Sequence, residues 1–223
     1  MKRRNIWSVA LAALSICLAA AAQAAFADPN LEAAVRKAAG RPTGNLTPAD
    51  LAAVKELLIP GASVLALGGI EELVNLTRLD LAKTPVRDIA PLARLGNLAE
   101  LNLSDTFVTD FRPLASCRSL RVLSLDRTGI SDLSFLTGLI SLERLSLTGN
   151  SIVNLEPLQP LVALKYAELS HNQITSVAPL RRNAEAGGLG TGDEVRLSGN
   201  PLTSAAYLTD IPYLEGRGVK VSR

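Results

Sequence analysis

The stretch Leu98-Ala99-Glu100-Leu101-Asn102-Leu103-Ser104-Asp105-Thr106-Phe107-Val108 decides the fold, because its spacing returns at a constant step on both sides. Its first leucine recurs as Leu76, Leu120, Leu142 and Leu164, each 22 residues from the next. The second leucine place holds Leu79, Leu123 and Leu145, broken only by Ala167, and the third holds Leu81, Leu125, Leu147 and Leu169. A repeat of this length with the pattern Leu-x-x-Leu-x-Leu-x-x-Thr/Asn-x-Val/Ile encodes one short strand and one tight return segment per coil. Alternation in Leu-x-Leu turns two leucines inward and the residue between them outward. Stacked coils then bury a leucine column that no single repeat could bury.

The columns that follow complete the coil. Thr84, Thr106, Thr128, Asn150, Asn172 and Asn200 occupy the place where the chain leaves the strand. Short polar side chains there can satisfy backbone groups that would otherwise be buried unpaired. Val86, Val108, Ile130, Ile152 and Ile174 come next, and Leu92, Leu114, Leu136, Leu158 and Leu180 line the far side of the core. Pro91, Pro113, Pro157 and Pro179 precede that last column, where a fixed φ and a missing donor suit a short 3₁₀ or irregular return. The predicted fold is α/β: a right-handed leucine-rich repeat solenoid with a parallel sheet on its concave face, a 3₁₀ or irregular convex side and a helical N-terminal cap. Of the 223 residues, 48% are hydrophobic and only 4% aromatic, which fits an aliphatic, layered core in one ordered domain.

Residues 1–27 read as a secretory signal peptide. Lys2, Arg3 and Arg4 precede an apolar run from Ile6 to Ala22, and either Ala22-Gln23-Ala24 or Ala25-Phe26-Ala27 offers a small-x-small cleavage site. An uncleaved anchor is the alternative. The Ile16 before Cys17 argues against lipid attachment. Without the leader, 23 − 3 = 20 Lys and Arg face 21 Asp and Glu, so a nucleic-acid or membrane-surface protein is not indicated. Cys117 falls in a leucine column and reads as a buried apolar residue.

Residues 28–56 form the cap. Asp28-Pro29-Asn30 starts one helix that ends at Gly40, and Thr47-Pro48-Ala49-Asp50 starts a second. The repeats run over 57–202, the first incomplete coil beginning near Leu57 and the final step, Ala167 to Val195, being 28 residues. The added length lies in Arg181 to Asp193, and its segment Gly188-Leu189-Gly190-Thr191-Gly192-Asp193 is a turn, since it lacks the Gly-Lys-Ser/Thr of a phosphate loop. Residues 203–223 make a closing helix and an edge strand.

The chain resembles secreted bacterial leucine-rich repeat proteins of the internalin-like type, with 22-residue repeats and a helical cap. Asp28 to Arg36, Leu46 to Leu51, repeats such as Leu98 to Ser119, and Gly188 to Leu202 carry the resemblance. It implies non-enzymatic binding of a protein ligand by the concave sheet. Two features depart from the family: no cell-wall sorting signal or surface-binding module follows the last strand, and the repeats are few.

With the leucines committed to the core, function falls to the outward strand positions. Lys83, Asp105 and Arg127 alternate in sign along one column, as do Arg121, Glu143 and Lys165 along another, and both read as charge ladders between coils. Arg144, Tyr166, Glu168 and His171 cluster on the last two full repeats and are not cancelled within their own columns. An exposed tyrosine beside an arginine is the composition of a binding hot spot, or of a local cation–π pair. The candidate ligand-binding set is Arg78, Asp80, Glu100, Asn102, Arg144, Tyr166, Glu168 and His171. No catalytic residue, metal ligand or cofactor is assigned. His171 is the only histidine, and a Ser146, His171 and Asp126 arrangement would lie on an open, solvent-washed sheet.

The sequence therefore predicts a non-enzymatic extracytoplasmic binding module, secreted or periplasmic. It is a monomer with a protein or glycan ligand, no nucleic acid and no stable membrane insertion after cleavage. The alternative is a structural, envelope-associated solenoid with no specific concave-face ligand.

Overall fold

The computed structural model describes residues 26–223; residues 1–25, which hold most of the predicted signal peptide, lie outside the described residues. Two helices open the chain, α1 (Pro29–Ala38) and α2 (Pro48–Ala53). Eight three-residue strands follow: β1 (Glu56–Leu58), β2 (Arg78–Asp80), β3 (Glu100–Asn102), β4 (Val122–Ser124), β5 (Arg144–Ser146), β6 (Tyr166–Glu168), β7 (Glu194–Arg196) and β8 (Lys220–Ser222). They form one sheet in chain order, every neighbouring pair parallel. The middle residues pair Leu57 to Leu79 to Leu101 to Leu123 to Leu145 to Ala167 to Val195 to Val221, so the register survives both the 28-residue step and the last one.

From β1 to β6 the coils return through short 3₁₀ turns, of which Ala90–Arg94, Arg112–Ser116 and Glu156–Leu158 carry proline near their start. Strand leucines and return leucines meet in one continuous core, and Leu76, Leu98, Leu120 and Leu142 have no exposed surface. Cys117 belongs to that core, donates to the Leu92 carbonyl at 3.3 Å, and burial pushes its thiol up to about 11.

The final return departs from the expected irregular convex side. Instead of a 3₁₀ turn it is the helix α3 (Ala178–Glu185), because six additional residues let the turn begun at Pro179 continue. The helix is fixed by Asn183, which is fully buried and donates to the Leu158 and Gln159 carbonyls while accepting from the Leu189 amide at 2.9 Å. A Cβ on Gly188 would stand 2.2 Å from the Asn183 amide oxygen. The glycine-rich segment is thus a turn packed on Asn183. A wide π-type turn over Ala206–Asp210 runs into α4 (Ile211–Gly216), which closes the far end before β8.

At the opposite end Asp28 ties the cap to the first coil. One carboxylate oxygen accepts from the Asn30 and Leu31 amides at the start of α1, and the other from Leu65 and Ala66 in the first coil. Burial alone would raise this carboxyl, but the four amides outweigh it and hold it below the usual carboxylate range. Helix α2 carries a capping box in which Thr47 and Asp50 bond reciprocally. The Thr47 hydroxyl and amide, aided by Arg41, hold the Asp50 carboxyl at about 2. Among the described residues no helix is long and apolar enough to cross a membrane.

Candidate functional site: the outer face of the sheet

The outward residues of β2 to β7 form two regions of different chemistry. Toward the cap, the candidate residues are engaged within the protein: Arg78 pairs with Glu100 at 3.1 Å, while Asp80 accepts from the Ala82 amide at 2.9 Å and Asn102 from the Ser104 amide at 3.1 Å. In the middle, Glu143 takes Arg121 on one side at 3.2 Å and Lys165 on the other at 2.9 Å, which is the predicted ladder. Asp105 holds Arg127 through two bonds of 2.7 Å. The Arg127 guanidinium, above all, keeps the Asp105 carboxyl below its ordinary range.

Toward the far end the chemistry becomes aromatic. The Arg144 guanidinium lies 4.5 Å from the Tyr166 ring centroid, and Arg196, one coil further on, lies 5.6 Å from the same centroid. Tyr166 is therefore flanked by two guanidinium groups from β5 and β7, an arrangement in which ring and cations fix one another. Arg196 also reaches Glu194 at 2.5 Å and Glu168 at 3.6 Å, and Glu168 accepts from the Ser170 amide at 3.1 Å. Desolvation, reinforced by the Glu168 charge, raises the Tyr166 hydroxyl above its ordinary value and keeps it a neutral donor at physiological pH. Among the described residues Arg144 makes no ion pair, so its donors point outward unspent.

Two expectations change. Glu168 is cancelled within its own column after all, because the register sets Arg196 beside it and Glu194 beside Tyr166. The 22-residue step ends at β6, where the 28-residue step intervenes; Val195, Leu197 and Asn200 mark the next strand and with it the places of Glu194 and Arg196. His171 belongs to a second structure. Lys83, Asp105, Arg127 and His171 all have left-handed backbone, with φ of 53 to 59°, in a column completed by Gly61, Gly149 and Gly199. A Cβ on Gly199 would meet the His171 ring nitrogen at 2.6 Å, so the imidazole packs flat on the next coil. The glycines in that column were the available signal.

The Ser146, His171 and Asp126 arrangement does not assemble. The Ser146 hydroxyl donates straight to Asp126 at 2.6 Å, with no imidazole between them. Depressions on this face are shallow, with volumes of about 90 Å³ beside Tyr166 and about 170 Å³ beside Arg78. Small-molecule sites are usually several times larger. A larger hollow, about 400 Å³, lies on the flank between Val108 and Phe135, but its charges are spent internally: Asp110 on Arg112, and Asp132 on Ser134. The face carries anchored side chains over shallow hollows.

The repeats themselves match a family model. The leucine-rich repeat model, described as "Leucine Rich repeats (2 copies)", fits residues 96–138 and again 118–160. An internalin (inlF) of Listeria monocytogenes has a similar solved structure at 25% identity, with a TM-score of 0.78 over 88% of this chain and 56% of that one. In its leucine-rich repeats and its fold the chain is similar to internalins. Internalin C2 of the same organism is 27% identical, with a TM-score of 0.66 over 88% of this chain and 94% of that one. A leucine-rich repeat protein of Leptospira interrogans, 21% identical with a TM-score of 0.58 over 79% of this chain and 51% of that one, shares the fold. This internalin-like chain spans little more than half the length of the inlF structure. No curated protein matches the sequence.

Proposed function

We propose that this internalin-like protein is a non-enzymatic, extracytoplasmic module that holds a protein ligand on the concave face of its sheet. The ligand contacts centre on Arg144, Tyr166 and Glu168, with Arg196 beside them and Arg78, Asp80, Glu100, Asn102 and His171 toward the margins. The observation that carries this reading is the stacking of Arg144 and Arg196 on either side of Tyr166. It presents a large, rotationally restrained aromatic side chain and an unpaired guanidinium, the residue types that dominate binding hot spots. Arg144 offers bidentate donors to a carboxylate of the partner. The leader-like N-terminus supports export, and the low net charge of the rest supports a protein or glycan partner over nucleic acid.

The internal pairing of Arg78 with Glu100 and of Glu143 with both its neighbours favours a second reading for the rest of the face, that of a structural solenoid whose surface is only solvated. Affinity capture from envelope and culture-supernatant extracts separates the two. A partner retained by the protein and lost by a folded Arg144→Ala/Tyr166→Ala/Glu168→Ala variant supports the binding module. Identical captures by both, or none, leave the structural reading.

A further inference from the structure

The sequence offers two cleavage sites, after Ala24 and after Ala27, and the two leave different proteins. The folded unit begins before the second. Phe26 is 9% exposed and its side chain belongs to the continuous core. The Ala27 amide donates to the Gly68 carbonyl at 2.9 Å, and a Cβ on Gly68 would stand 3.0 Å from that of Ala27, so the first coil leaves room for this residue. Asp28 then spends its carboxylate on four amides that join α1 to the first coil.

Cleavage after Ala27 would remove the Phe26 side chain from the core and the amide that bonds Gly68. It would also set an α-ammonium charge on the residue whose carboxylate makes the four-amide junction. Cleavage after Ala24 retains Phe26 and Ala27 and disturbs none of these contacts.

We propose that the signal peptidase hydrolyses the Ala24–Ala25 peptide bond, water adding to the Ala24 carbonyl and the Ala25 nitrogen leaving as the new amino terminus. The mature protein starts at Ala25. This rests on the export reading above. Ala22 and Ala24 are then the small residues the peptidase requires, and Ala25-Phe26-Ala27, which also fits the small-x-small pattern, contains Phe26 and Ala27, which the fold uses.

The test is export of the full chain in a bacterial host, followed by intact-mass measurement of the exported protein and of three full-length variants. The expected product starts at Ala25. Ala22→Leu, which damages only the first site, abolishes that product, whereas Ala25→Leu, which damages only the second, is processed like the unaltered chain. Phe26→Ser lowers the thermal midpoint of the exported protein by several degrees or prevents its accumulation, because the residue is retained in the core. A product starting at Asp28, or a Phe26→Ser chain whose exported product melts like the unaltered one, overturns the assignment while leaving export intact. A chain that stays inside the cell with Met1 attached overturns the export reading and this one with it.

Discussion

The coils before Thr128 and those after it rest on the same leucine columns, yet they are joined differently where the chain leaves the strand. Thr84 and Thr106 each donate to a carbonyl of their own coil, Leu81 and Leu103, at 2.7 and 2.6 Å. Asn150 donates both to Leu147 in its own coil and to Leu125 in the coil before, and its oxygen accepts from Thr128, Gly129 and Ile130. Asn172 and Asn200 repeat that bridge, taking the Ile152 and Ile174 amides. A hydroxyl serves one coil, whereas a carboxamide, with donors and acceptor a few ångströms apart, stitches two. The outer face changes along the same axis, from paired charges around Arg78 and Glu100 to the flanked aromatic of Tyr166. The aromatic cluster stands on the stitched half, where side chains that must be held in one geometry gain most from a rigid scaffold.

Removing one stitch should cost most. Asn172 is buried, and Asn172→Ala would strand the Ile152 amide and leave the Leu147 and Leu169 carbonyls with only their second carboxamide donors, Asn150 and Asn200. The expected loss is about 2–3 kcal/mol in a denaturant titration, from one unmet buried amide together with the bonds that tie two coils. Thr106→Val, which strands only Leu103, should lose about 0.5–1.5 kcal/mol. Equal losses at the two positions would erase the distinction between the halves. Native-state hydrogen exchange sharpens it further: the amides of Ile152 and Ile174, taken by asparagine oxygens, should exchange more slowly than those of Val86 and Val108, their counterparts in the threonine half.

The ladder on the surface should matter least. Arg127→Ala removes the bidentate pair with the partly exposed Asp105, and about 0.2–1 kcal/mol should be lost at low salt and less at high salt. Because the folded-state carboxyl of Asp105 is depressed, its contribution is present above the unfolded carboxylate value, about 3.9, and disappears as the pH falls below it. Stability of the unaltered protein and of Arg127→Ala should therefore converge in acid.

Nearly all the scaffold was legible in advance because a 22-residue step turns each residue's place in the coil into simple addition. Leu79, Leu101 and Leu123 do pair in register, and Asp28 and Thr47 do cap α1 and α2. Reading failed where the addition stopped or where backbone conformation, not side-chain class, defined the column. Pro179 sits where Pro91 and Pro113 start 3₁₀ turns, so nothing local distinguishes α3 from them except the length that follows. The same interruption hid Arg196 from the column of Glu168. Lys83, Asp105, Arg127 and His171 differ in charge and shape, and their shared left-handed backbone is visible only through Gly61, Gly149 and Gly199 in the same column.

Ligand binding centres on the aromatic half of the sheet, with the charge-paired half only at its margin. Binding of a captured partner, measured side by side for a Tyr166→Ala variant and an Arg78→Ala/Glu100→Ala variant, tests this most directly. Tyr166→Ala should lose at least about tenfold in affinity, as removal of a hot-spot aromatic does, while the double variant, altered only at the margin, should lose far less. Full binding by Tyr166→Ala, with binding lost by the double variant, would contradict it.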